Sequence, residues 1–275
     1  MILFPNAKIN LGLQVLSKRE DNFHNLETLM HPVGLCDILE FLPSSEKETI
    51  FKLSGIPVSG DIIENLIFKA YMMLKDGYNL PNLKIHLHKM IPAGAGLGGG
   101  SSDAAFMLKG LNKMFDLKLS VVELKNYASA LGSDCSFFID NIPALASLKG
   151  EKLTATINYL KNYKILLFYP GFPVSTTEAY KGIVPDADRK SLSFFLEKGV
   201  ANWKTNLSND FEQSVFEKYP VLGNMKEELY ECGAVYASMS GSGSVVYGIF
   251  EKDIFIPEGL RNSLIYMGFT SPNPS

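Results

Sequence analysis

Residues 92–111 read PAGAGLGGGSSDAAFMLKGL: five glycines fall in the seven positions from Gly94 to Gly100, and two serines and an aspartate follow. Just upstream, NLKIHLHKM at 82–90 alternates apolar with polar residues, the period of a strand with one buried face. Downstream, Ala104, Ala105, Leu108, Leu111 and Phe115 recur at helical spacing and predict a helix over 101–115. A strand, a glycine-rich turn and a helix start in succession make an anion site. Glycines let backbone N–H groups converge at dihedrals a side chain forbids. The helix start adds unsatisfied N–H groups and a partial positive charge. Ser101 and Ser102 add hydroxyl donors.

Several readings compete for this stretch. A P-loop needs G-x-x-x-x-G-K-[ST], and the chain contains no Gly-Lys dipeptide. Gly94, Gly96 and Gly99 do satisfy the dinucleotide fingerprint G-x-G-x-x-G, and Asp116 stands near the ~20-residue offset of a ribose-binding acid. That acid should end a second parallel strand, whereas LSVVELKNYASAL at 119–131 continues as a second helix, stopped by Gly132. A flexible linker would need polar surroundings, and here a strand and an amphipathic helix flank the glycines. The remaining reading is a nucleoside triphosphate loop of another fold, with the whole run wrapped around several phosphates.

Elsewhere, AKINLGLQV at 7–15 alternates Ala7, Ile9, Leu11, Leu13 and Val15 with polar or small residues, which sets Lys8 and Asn10 on one face of a strand. Helical patterns are predicted over 62–75, 175–182, 189–198 and 208–231, and strands over 163–169 and 244–250. No internal repeat is visible, and a domain boundary is expected near 150–162. Strands and helices mix without regular βαβ alternation, so the expected class is α+β with two domains.

Composition narrows the function classes. With 275 residues, 46% hydrophobic and 20% charged, the chain is ordinary for a globular protein. A net charge of -3 and a pI near 5.9 give no sign of a nucleic-acid surface. Cys36, Cys135 and Cys232 form no CxxC pair, which suits a reducing compartment. Pro5 and Lys8 come too early for a signal peptide, and no apolar run approaches the ~18 residues of a membrane helix. The expectation is a cytoplasmic protein with neither a membrane nor a nucleic-acid partner. His86 and His88 share a strand face with no ligand at metal spacing beside them and read as surface imidazoles.

Four segments in order resemble the GHMP small-molecule kinases, named for galactose, homoserine, mevalonate and phosphomevalonate. PAGAGLGGGSSDAA at 92–105 resembles their P-x-x-x-G-L-G loop. PNAKINLGLQVLSKREDNFHNLETLM at 5–30 resembles the opening of one branch, LGSDCSFFI at 131–139 its catalytic-aspartate segment, and MSGSGSVVYGIF at 239–250 the family's third motif. Two places depart from the pattern: the usual D-G-Y-H reads Asp21-Asn22-Phe23-His24, and the usual D-C-P-F-F reads Asp134-Cys135-Ser136-Phe137-Phe138.

The resemblance implies a two-domain α+β kinase fold. Residues 1–155 would form an N-terminal domain like ribosomal protein S5 domain 2, and 156–275 a ferredoxin-like C-terminal domain. The co-substrate would be ATP with Mg²⁺, and the acceptor a small alcohol carrying a cytidine diphosphate. Lys8 and Asp134 would be the catalytic couple. Pro92, Ala93, Gly94, Ala95, Gly96, Leu97, Gly98, Gly99, Gly100, Ser101 and Ser102 would clamp the phosphates, with Asn65 and Lys89 lining the adenosine pocket. Asn10 would touch the acceptor, and Phe23, His24 and Tyr180 would hold its cytidine. The alternatives are a GHMP kinase for mevalonate, homoserine or a sugar, a catalytically silent nucleotide-binding protein, and an NAD-dependent oxidoreductase.

Overall fold

The computed structural model describes residues 1–58, 60–252 and 254–269. The strands follow the chain as β1 (Ile2–Leu3), β2 (Asn6–Lys18), β3 (His24–Cys36), β4 (Ile38–Pro43), β5 (Ile50–Gly55), β6 (Leu83–Lys89), β7 (Ala144–Leu148), β8 (Lys152–Ala155), β9 (Lys164–Phe168), β10 (Tyr236–Met239), β11 (Val246–Phe250) and β12 (Leu264–Phe269). The longer helices of the first half are α1 (Leu66–Tyr78), α2 (Gly99–Met114) and α3 (Val121–Leu131). The class is α+β, as expected. Among the described residues no helix is long and apolar enough to cross a membrane.

The chain forms two compact units, and neither is one continuous stretch. The first comprises Met1–Ala7, Leu35–Ala93 and Gly98–Asn141. Its sheet has the order β1-β4-β6-β5, antiparallel except for β5 and β6, which run parallel and are joined through α1. Leu83, Ile85 and Leu87 of β6 are buried while Lys84 and His86 are exposed, the alternation the sequence predicts. α1 buries Ile67, Ala70, Tyr71 and Leu74; α2 buries Ala104, Ala105, Leu108 and Leu111. Gly110 lets α2 approach closely, since a Cβ there would meet Phe41 Cζ at 2.6 Å and Leu3 Cδ1 at 2.7 Å.

The second unit comprises Lys8–Gly34, Gly94–Leu97 and Ile142–Ser275. It holds the sheet β2-β3-β7-β8, in which β3–β7 and β7–β8 pair antiparallel, and the wholly antiparallel sheet β10-β11-β9-β12. Leu13 and Val15 of β2 join Leu166, Phe168, Phe211, Leu222, Met225, Leu229 and Val246 in one apolar core.

Helix boundaries depart from the periodicity where capping chemistry intervenes. The helix expected over 62–75 begins at Leu66, because Asn65 caps it by accepting the Ile67 N–H at 2.9 Å. The pattern over 208–231 is two helices, Phe211–Lys218 and Pro220–Glu231, since proline favours a first helical position and cannot continue a helix. The pattern over 189–198 shortens to Leu192–Leu196, and that over 175–182 to Thr176–Ala179 with a 3-10 turn after it. The last expected strand begins at Val246, two residues late.

Candidate active site

The glycine loop fulfils its backbone role. Gly94, Gly96 and Gly98 have φ of 65°, 79° and 69°, the left-handed region that glycine enters without strain. Gly98 is the N-cap of α2, and its carbonyl accepts the Ser102 N–H at 2.9 Å. Gly94–Leu97 belong to the second compact unit, and the residues on either side to the first. The Ser102 hydroxyl is buried with no partner among the described residues. Ser101 hydrogen-bonds the Cys135 thiol; burial pushes that thiol up to about 11, against the lowering effect of this bond.

In the second unit a buried network gathers on the loop's central carbonyl. Lys8, only 4% exposed, donates from Nζ to Asn10 Oδ1 at 2.5 Å and to Gly96 O at 3.0 Å. The Ser240 hydroxyl donates to the same Gly96 O at 2.8 Å and accepts the Asn10 N–H at 3.2 Å. Asn10 Nδ2 donates to Thr28 Oγ1 at 3.0 Å, and that hydroxyl donates to Gly12 O at 2.6 Å. A Cβ on Gly96 would collide with the Ser240 carbonyl, so only glycine permits this approach. Asn209 Nδ2 fixes the 239–244 turn by donating to Met239 O and Gly241 O, both at 2.8 Å.

In the first unit a cavity of about 200 Å³ is lined by Leu53, Val58, Asn65, Leu66, Lys89 and Gly100, among others. The Asn65 and Lys89 expected for an adenosine pocket are thus brought together. The Lys89 ammonium is paired with buried Asp37 and, at 2.8 Å, with Asp103. Asp134 lies in the turn that follows α3, half-buried, beside Cys135. Lys8 and Asp134 are assigned to different compact units.

The aromatic residues divide. His24 and Tyr180, both in the second unit, stack with ring centroids 4.7 Å apart and planes 19° from parallel. Tyr180 is backed edge-on by Phe211 at 4.7 Å. Burial, then the Lys18 charge, hold the His24 imidazole below its usual range, so it stacks as a neutral ring at pH 7. Phe23 is 59% exposed, with the Lys149 ammonium 5.0 Å from its ring centroid.

Comparison with known proteins decides the family. Residues 65–147 match the GHMP kinases N terminal domain, and residues 192–254 the GHMP kinases C terminal domain. The chain belongs to the GHMP kinase family. Curated relatives include the 4-diphosphocytidyl-2-C-methyl-D-erythritol kinases of Cytophaga hutchinsonii, 53% identical over 91% of this chain and 92% of that one, and of Bacteroides thetaiotaomicron, 51% identical over 94% and 95%. The crystal structure of a 4-(cytidine 5'-diphospho)-2C-methyl-D-erythritol kinase superposes with a TM-score of 0.77 at 31% identity, covering 90% of each chain. The protein is therefore a kinase of two-domain α+β GHMP type, and its family implies ATP as co-substrate.

Four polar residues of this GHMP kinase lie outside the expected site: Thr28, Asp37, Asp103 and Ser240. Thr28 and Ser240 carry no periodic signal, because their hydroxyls serve backbone and amide partners distant in sequence. Lys89 did carry a signal. It shares the phase of Leu83, Ile85 and Leu87, and a charge on the inward phase of a strand demands a buried counter-charge.

Proposed function

We propose that this kinase transfers the γ-phosphate of Mg²⁺-bound ATP to the C2 hydroxyl of 4-diphosphocytidyl-2-C-methyl-D-erythritol, in non-mevalonate isoprenoid precursor synthesis. The observation that carries this reading is the His24–Tyr180 stack, in a chain over half identical to curated relatives of that name. A cytosine ring needs aromatic faces to lie on. Mevalonate and homoserine carry no ring to lay on one.

The roles follow from the chemistry of phosphoryl transfer, which is mostly positioning and charge stabilisation. The 92–102 loop and the start of α2 clamp the phosphates with backbone N–H groups. Asn65 and the Lys89 stem line the adenosine cavity. Phe23, His24 and Tyr180 hold the cytidine, and Asn10 orients the acceptor. Asp134 takes the proton of the attacking hydroxyl as its oxygen bonds to the γ-phosphorus. The bond from that phosphorus to the β–γ bridging oxygen breaks, and ADP leaves. Lys8 stabilises the charge on the transferring group. The metal travels with the phosphates as part of the co-substrate. We place the boundary between an S5-like N-terminal domain (1–155) and a ferredoxin-like C-terminal domain (156–275) in the stretch between the two family matches. This division follows the family segments rather than the two contact-defined units.

ADP release from Mg-ATP tests the reading. Release should require the cytidylated alcohol and be absent with uncytidylated methylerythritol phosphate; equal release with both would reject the assigned acceptor. Asp134→Asn should lower kcat by ~10²–10⁴-fold with Mg-ATP binding retained, the scale of a positioned base. Unchanged turnover would remove Asp134 from the mechanism.

A further inference from the structure

The Lys89 side chain enters the interior of the first unit at the point where β6 gives way to the glycine loop. Its Nζ meets Oδ2 of Asp37, and Oδ2 of Asp103 at 2.8 Å. Asp37, from the β3–β4 junction, also uses Oδ1 to accept the N–H groups of Met90 at 2.6 Å and Ile91 at 2.9 Å. Asp103 lies in the second turn of α2, the helix that the loop opens into. The helix start sits hard against the strand end: a Cβ on Gly99 would lie 2.8 Å from Ile91 Cγ2 and 3.3 Å from Lys89 Nζ. One ammonium thus joins the last residues before the loop to the first turns after it.

We propose that Asp37, Lys89 and Asp103 form a buried clasp that fixes the span of the glycine loop, making Lys89 and Asp103 positioning residues for the nucleotide's phosphates. The clasp rests on the kinase reading, in which the loop receives those phosphates. Two carboxyl groups on one ammonium leave the trio no net positive charge to offer a polyphosphate. Burial lowers the affinity of Lys89 for its proton, but Asp103 and Asp37 outweigh it and keep the ammonium charged. A loop whose ends are held at fixed separation presents its N–H groups preorganised.

The test compares substitutions that keep or remove the acceptor. Asp103→Asn retains an oxygen for Lys89, whereas Asp103→Leu has similar size and none. Asp103→Asn should hold the KM for Mg-ATP within about threefold, while Asp103→Leu and Lys89→Met raise it ~10–100-fold, the cost of a small misplacement, with the acceptor KM little changed. An ammonium that contacted the nucleotide directly would instead be released by Asp103→Leu, and an unchanged or lowered KM there would overturn the clasp. A purely structural role would reduce the folded fraction in both Asp103 variants and leave the KM alone, which also overturns it. If Lys89→Met fails to fold, the Asp103 pair still decides. Mg-ATP titration of the unaltered chain separates the two readings: no binding there would sink the kinase reading, and with it the clasp.

Discussion

Lys8 and Lys89 are both strand lysines held at 4% exposure, yet they fasten different parts of the glycine loop. Lys8 donates to the Asn10 amide oxygen and to the carbonyl of Gly96, in the middle of the glycine loop. Lys89 donates to two carboxyl groups, which leave it no net positive charge to offer. In a poorly solvated site an ammonium held among carboxyl groups presents little field to a third group. An ammonium fastened to the loop's central carbonyl lies beside the phosphates that the loop is proposed to hold. One clamped between carboxylates offers geometry.

The contrast is sharpest at Lys8. Lys8→Met should lower kcat by ~10²–10³-fold, the usual loss for one charge-stabilising donor, with the KM for Mg-ATP within about threefold. Steady-state kinetics with both substrates varied would check this. A variant that keeps its kcat and loses ATP affinity would show Lys8 behaving as Lys89 is proposed to, and the contrast would collapse.

The same two lysines show how far the sequence could be read. β2 alternates cleanly, so Lys8 and Asn10 were placed on one face, and they do hydrogen-bond each other. Their face, however, is buried rather than solvated, and periodicity does not distinguish a polar face in water from one covered by other chain segments. β3 escaped notice because residues 28–33 are buried without interruption, covered on both faces, so no period of two marks them. The loop and α2 were legible because glycine dihedrals and helix starts are local chemistry. The Ser240 bond to Gly96 was not, because it spans 144 residues. The His24–Tyr180 stack was reachable only through the family resemblance, since neither residue carries a pattern of its own.

The Lys8 network makes a second prediction, smaller than the first. Ser240→Ala removes the acceptor of the Asn10 N–H and one of two donors to Gly96 O. Leaving one buried N–H unpaired costs ~1–3 kcal/mol. In a chain of this size that is a fall in Tm of about 2–8 °C. Thermal unfolding of Ser240→Ala beside Ser240→Thr, which restores the hydroxyl, would measure it. An unchanged Tm in Ser240→Ala would mean that the network adds no stability and that Lys8 is positioned by other contacts.

The Lys89 cluster makes the most diagnostic prediction. Burial, opposed by Lys89 and reinforced by Asp37, raises the Asp103 carboxyl to about 7 from its ordinary 3.8. Between those values the folded chain keeps a proton that the unfolded chain has lost. The stability contributed by holding it is therefore complete below about pH 4 and lost as pH rises towards 7. One proton sets a slope of at most about 1.4 kcal/mol per pH unit. Asp103→Asn cannot titrate, so its stability relative to the unaltered chain should rise steadily across that window. The surrounding groups, Asp37 and Lys89 within the cluster and Asp61 and Glu64 on the wall of the neighbouring cavity, are common to both proteins and cancel in the difference. Denaturant unfolding of the pair at half-unit pH steps gives that difference directly. A flat difference would mean that Asp103 is already ionised at pH 4, held by Lys89 as an ordinary ion pair.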